Sequence, residues 1–173
     1  EVHYSLGQYR QAIVTFEQII ARLTGDRLYE RIGVAMHSVV SRRWLVQAPA
    51  ETGAFAAGIA RGEEGIRIAE TADHPYSLFN ICLGFGYLYV RKGDFQQAIP
   101  FLARSLELCR VWNIRQNIAN CALYFGHALA LSGQVSASLA LLEQSIETAE
   151  LTRYIGRVPL SASMLSEVYW RAG

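Results

Sequence analysis

The chain has 173 residues, of which 51% are hydrophobic, and its 16 basic and 15 acidic residues leave a formal net charge of +1. Because the sequence contains no long basic run, binding of nucleic acid along a phosphate-tracking stripe has little support. No apolar run is long enough to span a bilayer and no leader-like segment opens the sequence, so we expect a soluble, cytoplasmic protein without membrane insertion.

Glycine recurs at a fixed interval along the chain. Four glycines stand 40 residues apart and a fifth lies 46 residues before them, at Gly7, Gly53, Gly93, Gly133 and Gly173. Most copies continue with a polar residue, a large apolar residue and, after two spacers, a small and an aliphatic residue, as in Gly93-Asp94-Phe95 with Ala98-Ile99. Glycine readily ends a helix and a small residue lets the next helix approach, so each copy predicts a helix, a tight turn and a second helix.

The predicted helices follow this period in chain order. They cover approximately residues 9–23, 36–52, 55–71, 76–92, 95–111, 116–132, 135–150 and 158–171. We expect one solenoid domain over residues 1–173, with a partial repeat at 1–33, repeats at about 34–73, 74–113 and 114–153, and a partial repeat at 154–173. Because the sequence starts and stops within a repeat, we expect a segment of a longer protein.

The second copy departs most from the pattern, and we expect the least regular repeat there. Pro49 falls in its first helix, where proline removes a backbone hydrogen bond and bends the helix at a cost of about 3 kcal/mol unless the helix ends nearby. Its second helix contains three glycines, at Gly58, Gly62 and Gly65.

The sequence contains no recognisable catalytic motif. Cys82, Cys109 and Cys121 lie on predicted helices without paired metal-ligand spacing, which favours reduced, packed thiols over the alternative of a redox or zinc role. The histidines show no local metal-binding pattern, and Gly84-Phe85-Gly86 lacks the third glycine of a dinucleotide fingerprint. We therefore predict no catalytic residue, no metal site and no cofactor.

The side chains around the turns distinguish among repeat families, whereas a 40-residue period alone lies near the HEAT and armadillo lengths. The third copy has Cys82, Phe85-Gly86 and Tyr89 before its turn and Ala98 after it, and the fourth has Ala122, Phe125-Gly126 and Leu129, then Ser138. This arrangement resembles the tetratricopeptide family, whose first helix carries Trp-x2-Leu-Gly-x2-Tyr and whose second carries a small residue and an aromatic. The resemblance spans nearly the whole chain. It implies an all-α, right-handed superhelical solenoid of helix-turn-helix repeats, here with a 40-residue period.

Two further expectations concern packing. Gly86 and Gly126 fall in mid-helix, where glycine costs up to about 1 kcal/mol relative to alanine, so a close helix contact must compensate. The period also exceeds the roughly 34 residues of a tetratricopeptide unit by about six. This surplus falls in residues 71–76, 111–116 and 151–156, where it lengthens the helices or elaborates the loops on one edge.

The resemblance implies that first helices line a concave wall on which family members hold peptides or helices. Transferred slot by slot, it predicts a partner-binding face made of Arg43, Gln47, Asn80, Leu83, Tyr87, Arg91, Asn120, Leu123 and His127. Asn80 and Asn120 stand one period apart, and their amides are suited to hydrogen bonds with an extended peptide backbone; the alternative is a solvated polar helix face. The mixed charge of this wall does not favour a chaperone adaptor that clamps a C-terminal carboxylate. Exposed solenoid ends offer a possible route to self-association.

Several strings resemble a narrower group, the C-terminal tetratricopeptide regions of bacterial multidomain proteins that join a class III adenylate/guanylate cyclase domain to an AAA-type ATPase. They include His3-Tyr4-Ser5-Leu6-Gly7, residues 58–65, Asp73-His74-Pro75 and residues 108–114. The resemblance implies a non-catalytic protein-protein interaction and regulatory scaffold from a signalling protein, and the sequence holds neither cyclase metal carboxylates nor a Walker motif. The alternative is the sensor module of an ATPase-type transcription activator that binds a small inducer. An enzyme with the concave groove as its active site is a third hypothesis.

Overall fold

The computed structural model of the chain describes residues 2–153 and 158–172. These residues form nine α-helices: α1 (Val2–Ser5), α2 (Tyr9–Ile20), α3 (His37–Glu51), α4 (Phe55–Thr71), α5 (Pro75–Lys92), α6 (Phe95–Val111), α7 (Arg115–Leu131), α8 (Val135–Leu151) and α9 (Val158–Ala172). A 3-10 helix at Gly25–Tyr29 and a two-stranded antiparallel hairpin, β1 (Arg31–Ile32) and β2 (Ala35–Met36), connect α2 to α3.

Consecutive helices pack in pairs, and the most extensive contacts lie within α3/α4, α5/α6 and α7/α8. Contacts of α3 with α5 and of α6 with α7 join each pair to the next. This arrangement confirms the predicted all-α, tetratricopeptide-like solenoid. The connection between α2 and α3 differs from the prediction. The helix that was expected to reach residue 23 ends at Ile20, and the 3-10 helix and the hairpin follow it.

The turns within and between the pairs share a residue in the left-handed backbone conformation. Gly93 and Gly133 end the first helices of their pairs with φ of +83° and +86°, and the next amide bonds back to the helix, as in Asp94 N to Tyr89 O at 2.9 Å. After the second helices, Asp73 and Asn113 adopt the same left-handed conformation with φ of 44° and 52°. The connections there are therefore short, and the surplus residues lengthen the helices to 17 or 18 residues.

The helical glycines mark points where neighbouring helices touch. A Cβ atom at Gly86 would overlap the side chain of Leu102 on α6, and one at Gly126 would lie 2.9 Å from Leu142 Cγ on α8. Both observations confirm the expected close helix contacts. In α4, Gly58 and Gly62 likewise face Leu88 and Phe85 of α5, so the glycines of the second copy serve packing and α4 is a continuous helix.

Pro49 does not interrupt its helix. It lies in the last turn of α3, which ends at Glu51. Thr52 N donates to Pro49 O at 3.1 Å and Ala54 N donates to the same oxygen at 2.9 Å, so the carbonyl of Pro49 anchors the following turn.

Buried serines tie second helices to the core. Ser105 on α6 donates its hydroxyl to Phe79 O at 2.9 Å, and Ser145 on α8 donates to Ala119 O at 2.8 Å. Both serines are fully buried. Because the serine side chain is small, its hydroxyl group finds a hydrogen-bond acceptor inside the helix pair without separating the helices.

A chain of ion pairs joins α2, α3 and α4. Arg42, only 3% exposed, donates to Ser38 O at 3.0 Å and to Glu64 Oε1 at 2.6 Å. Arg61 binds both carboxylate oxygens of Glu17, at 2.9 and 2.7 Å, and lies 3.4 Å from Glu64 Oε2. The hydrogen bond from Arg42 lowers the pKa of Glu64 below its ordinary value.

We expect Gly86→Ala to lower the free energy of unfolding by about 2 kcal/mol, because its methyl group meets the fully buried Leu102. Gly84→Ala, half a turn away, is the matched control. Its methyl group would lie 3.1 Å from Arg43 Cγ, a contact that requires a shift of only a few tenths of an ångström, so we expect its cost to offset the gain in helix propensity and to leave a change within about 1 kcal/mol of zero. Chemical denaturation measures both changes, and equal effects of the two substitutions would contradict the packing account.

Glu64→Gln is expected to flatten the acid side of the stability profile. The pKa of Glu64 is lowered in the folded state, so its contribution is present above the unfolded pKa of about 4.3 and is lost as the pH falls below it. Urea midpoints measured from pH 6 to pH 3 should therefore fall more steeply for the wild type than for Glu64→Gln. Glu63→Gln, at an exposed position of the same helix, is the control, and parallel profiles for wild type and Glu64→Gln would contradict the prediction.

Candidate functional site

A cleft of about 660 Å³ runs along alternate helices of the solenoid. Its walls come from α1, α3, α5, α7 and α9, with one residue from α2. We call it the first-helix cleft, and it is lined by Tyr4, Ser5, Tyr9, Trp44, Gln47, Glu51, Tyr87, Val90, Arg91, Tyr124, His127, Leu131, Leu160 and Met164.

Many of the lining positions recur at fixed distances before the turn glycines. Two positions before a turn glycine stand Glu51, Arg91 and Leu131. Six positions before stand Gln47, Tyr87 and His127, and nine positions before stand Trp44 and Tyr124. Steps of three and four residues keep side chains on one face of a helix, so the cleft is a single face of each first helix.

Four of the predicted partner-binding residues line this cleft: Gln47, Tyr87, Arg91 and His127. Arg43 lies beside it, with its guanidinium carbon 5.3 Å from the ring centroid of Trp44.

The expected exposure of the other four residues is wrong. Leu83 and Leu123 are 1% and 0% exposed and belong to the core. They stand one position from the cleft face, a rotation of about 100° around the helix, which turns them into the solenoid. Asn80 and Asn120 are 7% and 8% exposed, and the Oδ1 atom of each is shielded from solvent, so these amides do not form the open polar face that was expected.

Sequence reasoning missed several lining residues, namely Tyr4, Ser5, Tyr9, Trp44, Glu51, Val90, Tyr124, Leu131, Leu160 and Met164. Some of them could have been predicted from the repeat pattern. Glu51 occupies the same slot as the predicted Arg91, and Trp44 and Tyr124 share a slot that the predicted face missed by one residue.

The carboxylate of Glu51 forms the polar centre of the cleft. Its side chain is only 9% exposed, Oε1 accepts a hydrogen bond from the Tyr87 hydroxyl, and Oε2 accepts one from Arg91 Nη2 at 2.8 Å. Burial, reinforced by the adjacent Glu51 carboxylate, raises the pKa of Tyr87 well above its ordinary value.

Five aromatic rings form the wall around this centre. Tyr4 lies 5.0 Å from Trp44 and 5.3 Å from Tyr9, measured between ring centroids. Tyr87 and Tyr124 form an edge-to-face pair at 5.4 Å. Rigid aromatic side chains with polar tips offer large contact areas at little cost in conformational entropy, and they are enriched at interfaces.

Part of the chain matches a known protein family. Residues 78–150, which lie in helices α5 to α8 and their turns, match the family model described as Tetratricopeptide repeat. The match covers 73 of the 173 residues, and over them the chain is similar to tetratricopeptide repeats. Such repeats generally mediate protein-protein interaction and are generally non-catalytic. No curated protein matches the chain.

Over residues 2–153 and 158–172, no three His, Cys, Asp or Glu side chains group in a way that would hold a metal ion. Among the helices that the structure describes, none combines the length and apolar character needed to cross a bilayer.

We expect Tyr87→Phe to lower the free energy of unfolding by about 1–2 kcal/mol at pH 7, because the buried Glu51 carboxylate loses a donor. The raised pKa of Tyr87 adds a pH dependence: its neutral phenol stabilises the fold below the unfolded pKa of about 10, and this contribution is lost at higher pH. Chemical denaturation between pH 7 and pH 11 should therefore show a smaller alkaline loss in the variant.

Tyr169→Phe is the matched control, because the Tyr169 hydroxyl also donates to a carboxylate, Glu143 Oε1 at 2.8 Å, but at an exposed site. Water replaces that hydrogen bond, so we expect little change. An equal loss in the two variants at pH 7 would contradict a special role for the Tyr87–Glu51 contact.

Proposed function

We propose that this chain is a non-catalytic protein-protein interaction and regulatory scaffold that holds a protein or peptide partner in the first-helix cleft. The observation that carries the proposal is the cleft itself, which combines tyrosine, tryptophan and arginine side chains along alternate helices. These three residue types contribute most often to the energetic centres of protein interfaces. The general role of tetratricopeptide repeats supports the same conclusion.

The proposed partner-binding residues are the cleft residues that keep more exposed surface, Trp44, Tyr87, Arg91 and His127. Gln47 and Tyr124 also line the cleft but are largely buried, at 4% and 8% exposed. Arg91 is the most informative of the proposed residues. Its side chain is 50% exposed while its ion pair with Glu51 fixes one end of the guanidinium, so the remaining donors are available to a partner at a small ordering cost.

The wider setting is also a proposal. Residues 1–173 would form one solenoid with the repeat boundaries predicted above, within a larger cytoplasmic signalling protein of the bacterial adenylate/guanylate cyclase type. Its support is the sequence resemblance of strings such as Asp73-His74-Pro75 and residues 108–114. In that setting the partner would be another protein or another domain of the same parent chain. Self-association through the solenoid ends is a further possibility, supported by Trp170 on α9, which is 82% exposed.

A second candidate function is the sensing of a small inducer. It is favoured by the volume of the cleft, about 660 Å³, which lies within the roughly 300–1,000 Å³ of small-ligand sites. Aromatic walls with a few converging polar groups, here Gln47, Glu51, Arg91 and His127, are also typical of such sites.

Arg91→Gln tests the partner hypothesis. With the chain as bait in affinity capture from cytosol, we expect the amount of a specific partner to fall at least about fivefold, as for the loss of an interface arginine. Arg104→Gln is the matched control: Arg104 is 44% exposed and pairs with Glu70 at 2.8 Å, as Arg91 pairs with Glu51 at 2.8 Å, but it lies on α6 outside the cleft.

Equal partner recovery by the two variants would contradict the proposal that the partner binds in the first-helix cleft. If capture yields no protein but the small-molecule fraction of the same extract raises the melting temperature of the wild type and not of Arg91→Gln, the inducer hypothesis replaces the scaffold.

A further inference from the structure

Two of the three cysteines lie side by side in the core of the tetratricopeptide region. Cys109 on α6 and Cys121 on α7 are both fully buried, and their sulfur atoms are 3.7 Å apart. Both thiols are free, as is that of Cys82 on α5. A disulfide requires the two sulfurs to approach to about 2.05 Å, so they must close about 1.6 Å from their present separation.

The surroundings of the pair make the two thiols chemically different. Ser105 Oγ lies 3.2 Å from Cys121 Sγ but donates its single hydroxyl proton to Phe79 O, so Cys109, 3.7 Å away, is the neighbour that can donate a hydrogen bond to Cys121. The bond from Cys109 lowers the pKa of Cys121, and the same contact raises the pKa of Cys109. A thiolate therefore forms on Cys121 before it forms on Cys109, and the thiolate is the nucleophilic form of cysteine.

We propose that Cys109 and Cys121 are an oxidative modification site at which a peroxide converts the two thiols into an intramolecular disulfide. In the first step the Cys121 thiolate attacks one peroxide oxygen, the O–O bond breaks, and the leaving hydroxide takes up a proton to become water. Cys121 is then a sulfenic acid. In the second step the Cys109 sulfur attacks the Cys121 sulfur, the S–O bond breaks, and the hydroxyl leaves as water with the Cys109 proton. Two thiols are oxidised and one peroxide is reduced to two waters.

The disulfide would link the second helix of one pair to the first helix of the next. Contacts between α6 and α7 join the pair α5/α6 to the pair α7/α8, and α5 and α7 carry the cleft residues Tyr87 and Tyr124. Oxidation would thus tie α7, which lines the cleft, to α6, whose pair partner α5 also lines it. This consequence for partner binding rests on the proposed function, whereas the modification itself does not.

Because both thiols are fully buried, peroxide reaches them only when the α6–α7 contact opens transiently. The reaction is therefore slow, and the product closes a loop whose ends are 12 residues apart. Closing such a loop restricts the unfolded chain, so we expect the melting temperature to rise by about 5–10 °C on oxidation and to return to its starting value with dithiothreitol.

Mass spectrometry of the native chain after hydrogen peroxide treatment tests the proposal directly. Trypsin places the three cysteines in different peptides, residues 68–91, 105–110 and 116–153, so the pairing is read from which peptides are joined. We expect a link between 105–110 and 116–153, an intact mass lower by two hydrogens, and the same link in Cys82→Ser. In Cys109→Ser we expect no link, and a sulfenic acid on Cys121 that dimedone traps.

Two results would overturn the proposal. One is a link to peptide 68–91 or between two chains in place of the expected pair. The other is reduced thiols in the native chain after an exposure that cross-links the chain unfolded in urea. Both are read from mass alone, so they are independent of partner capture. If the disulfide forms but oxidised and reduced bait recover equal amounts of partner, the modification site is confirmed and its proposed effect on the cleft is contradicted.

Discussion

The close approach of neighbouring helices is the constraint on which the rest of this structure depends. Gly86 lets α5 touch Leu102 of α6, and Gly62 lets α4 touch Phe85 of α5, with no room for a methyl group at either point. These contacts fix the rotation of each first helix about its axis. Once that rotation is fixed, the face that carries Tyr87 and Arg91 lines the cleft, while the face one position away is buried.

The sequence predicted the helices well because glycine, turn and small residue recur together. It predicted the cleft less well. The predicted face included Tyr87 and Arg91, which line the cleft, but also Leu83, which is buried, because a periodic pattern gives the spacing of a face without fixing which neighbouring positions turn inward. The hairpin before α3 was missed because two-residue strands have no period, and its position depends on a distant contact, Met36 N to Ser77 Oγ at 3.2 Å.

The polar centre of the cleft could not be predicted for a related reason. Glu51 stands near the end of a helix, where a carboxylate is ordinarily solvated, and its partners Tyr87 and Arg91 follow 36 and 40 residues later. Only stacking of α3 against α5 brings the three together. The resulting network holds aromatic and charged groups in place before any partner arrives, which lowers the entropy lost on binding.

The central claim is that a partner occupies the first-helix cleft. Hydrogen exchange of the chain alone and bound to a captured partner measures this most directly, because it reports protection for each helix separately. The account predicts protection concentrated in α3, α5 and α7, whose residues line the cleft. Protection confined to α4, α6 and α8 would place the partner on the opposite surface and contradict the account.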